Sequence, residues 1–174
     1  MRARLLIAVW LALAWGCFPT SAGAEPPLAA PSGLWSLPLA GDPVVSRPFD
    51  PPPHPYGPGH RGVDLLSTPG VPVLAAGGGV VAFAGMVAGR PVVSVDHPGG
   101  LRTTYEPVDP SVGAGQPVAR GSPIGTLVGG HAGCPREACL HWGLRRGETY
   151  LDPFLLLRPP EVRLLPMGDG GQRR

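Results

Sequence analysis

Glycine and proline cut the apolar runs in the middle of this chain into pieces too short for an amphipathic helix. Val71 to Ala75 runs into Gly77-Gly78-Gly79, and Val80 to Ala84 and Pro91 to Val95 follow. Val118, Ile124, Leu127 and Val128 lie among Gly113, Gly115, Gly121 and Gly125. Short valine-rich pieces closed by turn formers read as strands. Asp96-His97-Pro98-Gly99-Gly100 reads as a hairpin turn that joins Val92–Val95 to Leu101–Tyr105, and Leu140 to Arg145 reads as one further strand. No window carries a long 3.6-residue apolar period, and Pro153 to Leu157 is the one weak helical pattern. With 27 glycines and 25 prolines among 174 residues, composition alone would suggest disorder. Here the glycines punctuate apolar runs instead of forming a tract, so the expectation is an all-β, turn-rich domain over residues 35–158. Residues 25–34 read as a Pro- and Ala-rich linker, and residues 159–174 as a disordered tail.

The start of the chain reads as an export signal. Met1-Arg2-Ala3-Arg4 is basic, Leu5 to Phe18 is an apolar run too short for a good membrane span, and Ala22-Gly23-Ala24 is a small-x-small cleavage site. Cleavage over residues 1–24 places the mature start at Glu25; the alternatives are an uncleaved anchor or lipidation at Cys17. Cleavage removes Arg2 and Arg4 and no acid, which leaves twelve basic residues against twelve acidic ones. That balance argues against nucleic acid and against an electrostatically held membrane. The location expected is secreted or cell envelope, with no stable membrane insertion after cleavage. Two cysteines remain, Cys134 and Cys139. In an exported chain an even pair is most simply a disulfide, which here would set the backbone just ahead of His141. The alternative is that Cys139 ligates a metal.

Three residues carry the chemistry. His60 and Asp64 stand four apart in Gly59-His60-Arg61-Gly62-Val63-Asp64, and at the start of a strand they would share a face. Gly62 between them removes a side chain and would let the backbone approach a metal. His141 lies in a strand whose other face, Leu140 and Trp142, packs inward. Two imidazoles and one carboxylate suit a zinc ion with its fourth position open. The Pro-rich stretch from Pro51 to Pro58 cannot hold a strand and reads as a surface loop that delivers His60 to the rim of the fold.

The blocks Gly-His-x-Gly-x-Asp-Leu, Pro-Val-x-Ala-x-x-x-Gly-x-Val, Val-x-Val-x-His, Thr-x-Tyr, Gly-x-x-Val-x-x-Gly-x-x-Ile-Gly and Leu-His-Trp occur in that order from about Val45 to Leu157. The chain thus resembles the lysostaphin-type, or LytM-like, zinc metallopeptidases, which hydrolyse peptide cross-links of bacterial peptidoglycan. The resemblance implies that His60, Asp64 and His141 ligate Zn2+ and that the partners are peptidoglycan peptides. It also implies two further histidines beside the metal-bound water. Cys139 and Pro107 stand at those positions. Losing a positioned base or oxyanion donor costs about 100- to 10,000-fold in rate.

Candidate substitutes are His131, which a Cys134–Cys139 disulfide could fold over the metal, and Glu106, beside the vacant Pro107 position. Glu137 is a weaker acid candidate. His97 reads as structural, His54 as solvent-exposed, and Arg145-Arg146 as a solvated strand end that could also meet an acidic wall group. The glycine-spaced pattern from Gly113 to Gly125 resembles biotinyl and lipoyl carrier modules, but those carriers modify a lysine and this chain has none. The reading is therefore a single domain of antiparallel sheets in a sandwich-like fold with an open groove. It is either an exported zinc metalloendopeptidase acting on peptidoglycan cross-links or a catalytically degenerate zinc-binding wall module that regulates or scaffolds hydrolysis.

Overall fold

The computed structural model describes residues 33–54 and 57–157. The export signal, the tail over 159–174, Cys17 and all but the last two residues of the linker lie outside the described residues. In chain order the strands are β1 (Val45–Arg47), β2 (Gly62–Ser67), β3 (Pro72–Leu74), β4 (Gly79–Val87), β5 (Arg90–His97), β6 (Leu101–Glu106), β7 (Val108–Pro110), β8 (Pro117–Val118), β9 (Pro123–Leu127), β10 (Ala138–Arg146) and β11 (Thr149–Leu151). The only helical segments among the described residues are 3-10 turns at Pro98–Gly100 and Pro153–Leu157. None is long and apolar enough to cross a membrane. The fold is thus all-β, as the glycine punctuation implied.

The strands form two antiparallel sheets. The larger runs β1-β2-β10-β6-β5-β4-β8, with β11 on the far end of β10, and the smaller runs β3-β9-β7. Alternation along each strand sends one set of side chains between the sheets. Val63, Leu65, Val93, Val95, Tyr105, Leu140 and Trp142 of the larger sheet meet Val73, Val108, Ile124 and Leu127 of the smaller. All of these are 0–2% exposed. Each such side chain contributes about 1.5–3 kcal/mol by leaving water, so this shared core sets the register of the central strands. A one-residue slip of β10 would turn Leu140 and Trp142 out of the core.

The Asp96–Gly100 hairpin joins β5 to β6 as expected. His97 is buried at its start. Its Nδ1–H donates to the Gly78 carbonyl (2.9 Å), its Nε2 lies 2.7 Å from the Thr103 hydroxyl, and the Trp35 ring meets it edge-on at 4.8 Å. Burial pushes its pKa below the ordinary 6.5, more than the Gly78 bond and the Asp96 charge raise it. A neutral ring held on both nitrogens is a structural histidine.

Candidate metal centre

The register of β2, β10 and β6 lays the site out in a row. His141 on β10 stands opposite Asp64 on β2 and opposite Glu106 on β6. Directly opposed residues of antiparallel strands share a face, so all three point away from the core that Leu140 and Trp142 fill. His60 precedes β2, paired through its backbone with Asp50 (His60 N–H to Asp50 O, 2.7 Å; Asp50 N–H to His60 O, 3.0 Å). The Pro-rich loop is therefore pinched at its base. His60 is 5% and Asp64 3% exposed, so the pair sits at the floor of a cleft and not on an exposed rim.

His60 Nε2, Asp64 Oδ1 and His141 Nδ1 form a triangle: 3.0 Å from His60 to Asp64, 3.0 Å from His60 to His141 and 2.9 Å from His141 to Asp64. Donors about 2.1 Å from a tetrahedral zinc stand roughly 3.4 Å apart, so this triangle fits the ion with a small expansion. The decisive detail is on the other side of His60. Its Nδ1 lies 2.7 Å from the Pro48 carbonyl. A carbonyl only accepts, so Nδ1 carries the proton and, in the neutral ring, Nε2 presents a lone pair. That lone pair faces a carboxylate oxygen and a second imidazole nitrogen. Three donor atoms converging on one point suit a cation between them, and orientation by a carbonyl is the usual support for a metal-bound histidine. Burial alone would raise the Asp64 pKa. The His141 hydrogen bond and the charges of His141, His60 and His131 outweigh it and hold the carboxyl below its ordinary 3.8.

Gly62 keeps a side chain off the ligand face, and the group it makes room for is a ring. A Cβ there would lie 2.7 Å from His141 Cε1 and Nε2 and 2.5 Å from the Trp142 carbonyl oxygen. The missing side chain makes room for the His141 ring.

The disulfide is present: Cys134 and Cys139 are bonded, Cα to Cα 5.7 Å. A sulfur in a disulfide is no thiolate ligand, so the alternative for Cys139 falls. Cys139 lies two residues before His141, on the same face of β10, and its Sγ is 3.5 Å from the Ser46 hydroxyl. The turn that leads into the disulfide, closed by the Cys134 N–H to the His131 carbonyl (3.2 Å), carries His131 to the triangle. His131 Nε2 is 3.3 Å from Asp64 Oδ2, its side chain is 9% exposed, and its ring stacks on His141 (centroids 6.0 Å, 22° between planes). Its Nδ1 is buried with no hydrogen-bond partner. Glu106 faces the same cleft with its carboxylate held by Arg90 at 2.8 Å. Pro107, the next residue, is buried behind it. Glu137 and His54 do not line the cleft at His141, whereas Arg145 does. Arg47, Arg61 and Arg90 also line it. Nothing local in the sequence marked Arg47 or Arg90, which arrive from β1 and from the β4–β5 hairpin.

Residues 58–153, more than half of the chain, match the description Peptidase family M23. The chain belongs to that family. An uncharacterised protein of Mycobacterium tuberculosis (strain ATCC 25618 / H37Rv) is 48% identical over 173 residues, 97% of this chain and 68% of the relative. Among solved structures, Helicobacter pylori Csd3 superposes with a TM-score of 0.60 at 27% identity, covering 76% of this chain and 37% of that one. A zinc-containing peptidase from Vibrio cholerae gives 0.54 at 26% identity, covering 66% and 37%. The M23 chain described here therefore spans little more than a third of either of these solved chains. The peptidase lysostaphin from Staphylococcus simulans gives 0.57 at 23% identity over 71% of this chain and 54% of its own, a likeness of fold.

Proposed function

We propose that this M23 chain is an exported zinc metalloendopeptidase that cuts peptide cross-links of bacterial peptidoglycan, with residues 35–158 as its peptidase domain and the cell envelope or exterior as its place of work. The observation that carries the reading is the donor triangle whose His60 lone pair is fixed by the Pro48 carbonyl. A relative described as a zinc-containing peptidase supports the choice of metal. When bound, zinc supplies a Lewis acid for the scissile carbonyl and lowers the pKa of a water toward about 7.

The residues of the chain do the rest. His60 Nε2, Asp64 Oδ1 and His141 Nδ1 hold the ion, and the Pro48 carbonyl keeps His60 in the right tautomer. His131 is the first candidate to accept the proton of the attacking water and return it to the departing amine. It takes the part of the imidazole absent at Cys139, and the turn into the disulfide keeps it beside Asp64. Glu106 is the second candidate proton acceptor, engaged by Arg90 until substrate enters.

A second reading rests on Cys139 and Pro107, where the resemblance leads one to expect histidines. On that reading the chain binds zinc and wall peptide and regulates hydrolysis without turnover. One experiment separates the two: zinc analysis of the mature protein and of His141→Ala, beside a peptidoglycan digest assayed for new amines. Zinc with amine release, both lost in His141→Ala, supports the enzyme. Zinc without release under conditions where a related enzyme works supports the regulator. Absence of zinc overturns both.

A further inference from the structure

The sheet face that carries the metal donors continues past Glu106. Gly143 on β10 stands opposite Thr104 on β6, Thr104 opposite Ser94 on β5, and Ser94 opposite Phe83 on β4. Directly opposed residues share a face, and the Ser94 and Thr104 hydroxyls lie 3.4 Å apart on it. Gly143 and Thr104 line the same hollow as His141, Glu106 and Tyr150. A row of residues thus runs beside His141 and Glu106 and reaches the edge of the sheet at Phe83. Its other flank is Arg145, Arg102 and Asp96. The charges on both sides are paired: Arg102 donates twice to Asp96, Arg145 reaches Glu148 at 3.4 Å, and Arg90 holds Glu106 at 2.8 Å. Selection along this row therefore comes from shape and apolar contact.

The end of the row is apolar. Phe83 is 39% exposed, and its ring leans back over Gly85, with Cζ 3.3 Å from where a Cβ of Gly85 would stand. Gly85 is opposite Val92. Val92 shares a face with Ser94 and is 5% exposed, yet it lies outside the core cluster between the sheets. Phe83 and Val92 thus make an apolar step on the cleft face. The strand edge beside it is open. β8 pairs with β4 only at Gly79 and Val80, the Val81 backbone bonds to Gln116 and Gly115, and beyond Val81 no described strand lies on the outer side of β4. Exposed apolar side chains at an uncovered strand edge mark a contact surface. Three strand steps of about 4.8 Å separate β10 from β4, roughly 14 Å in all. An extended peptide rises about 3.3 Å per residue, so about four residues reach from the metal donors to Phe83.

We propose that Phe83, with Val92 beside it, is a remote subsite that takes an apolar side chain about four residues from the scissile bond, the substrate peptide crossing the strands along the Gly143, Thr104 and Ser94 row. The proposal rests on the peptidase reading above and adds to it a length and a side-chain preference. Phe83 is a specificity residue: it meets the substrate far from the reacting atoms and acts on the binding of extended chains. The occupant is the substrate and not a second copy of the chain, because the step lies on the same sheet face as the metal donors and an unbroken row joins the two.

The test uses alanine peptides that carry a hydroxamate, a zinc-binding group, at one end or the other, so that the register along the cleft is fixed from the metal in each direction. Leucine or asparagine is placed at the second, fourth or sixth residue from the anchor. Binding to the zinc-loaded mature protein is measured by calorimetry, and cleavage of unanchored wall peptides is followed separately. In one of the two directions, leucine at the fourth residue is expected to bind about tenfold tighter than asparagine, the scale of burying one such side chain, with no comparable gain at the second or sixth. Phe83→Ser should abolish that ratio and Phe83→Leu should keep part of it. Met86→Ser, on the opposite face of β4, should leave it intact. Thermal unfolding of each variant confirms that it folds. No leucine gain at the fourth residue, a gain that survives in Phe83→Ser, or an equal loss in Met86→Ser overturns the inference. So does a wild-type dimer that Phe83→Ser dissociates without changing the ratio, which would make the step a contact between copies. A Phe83-dependent gain without cleavage upholds the subsite while the peptidase reading fails; cleavage with no gain overturns the subsite while the peptidase reading stands.

Discussion

The Gly62→Ala substitution adds one methyl group and tests how the site is built. The added Cβ would sit 2.5 Å from the Trp142 carbonyl oxygen and 2.7 Å from two atoms of the His141 ring. Neither neighbour is a flexible side-chain end. Trp142 is fully buried, and its carbonyl is part of the β10 backbone. His141 is held by Asp64 and His60. Relief therefore requires β2 and β10 to part where Gly62 faces Gly143, or the imidazole to leave the triangle. Overpacking of this kind costs about 1–3 kcal/mol. For a domain of this size, 2 kcal/mol lowers the Tm by roughly 8 °C.

The second consequence concerns the metal. Displacing the support of a metal ligand typically costs about 10- to 100-fold in affinity. At a zinc concentration of 100 times the wild-type Kd, the ion stabilises wild type by about 2.7 kcal/mol; with a 100-fold weaker site the same concentration gives about 0.4 kcal/mol. The assay is thermal unfolding in chelator and in zinc, with Gly113→Ala as the control because a Cβ there meets nothing within 4 Å. If Gly62→Ala melts with the control in chelator, the steric argument is wrong. If it is destabilised but keeps the full zinc shift, Gly62 does not support His141.

Other outcomes follow from the same contacts. Replacing Cys134 and Cys139 with serine should cost about 2 kcal/mol through the short loop they close, read from denaturant midpoints; an unchanged midpoint would remove the disulfide from the stability argument. His131→Gln should retain zinc in metal analysis while peptide turnover falls about 100- to 10,000-fold; loss of the metal would make His131 a ligand instead of a proton carrier. His97 is buried with its pKa below 6.5, so the unfolded chain takes up a proton near 6.5 before the folded one does. Its contribution to stability is full above that pH and is lost as pH falls below it. His97→Gln should flatten the decline in urea midpoint between pH 7.5 and 5.5, and an unchanged slope would exclude His97 as its source.

The amino-acid sequence by itself determined the strand-rich class and the donor types. Glycine punctuation leaves apolar pieces of strand length, and turn chemistry at Asp96–Gly100 closes a hairpin, because both are properties of neighbours along the chain. His60, Asp64 and His141 stood out for the same reason: their spacing and block order are local patterns. The pairing of Cys134 with Cys139 followed from a count and from the expectation of an exported chain. What these residues do to one another was decided in three dimensions. The Pro48 carbonyl fixes the His60 tautomer from twelve residues away, and Gly62 clears space for a ring on another strand. Glu106 stands opposite His141, and Arg90 comes to Glu106 from the next hairpin. The cause is register. Burial of Val63, Leu65, Tyr105, Leu140 and Trp142 on the far face sets how β2, β10 and β6 slide past one another, and the polar residues on the near face meet wherever that hydrophobic alignment leaves them.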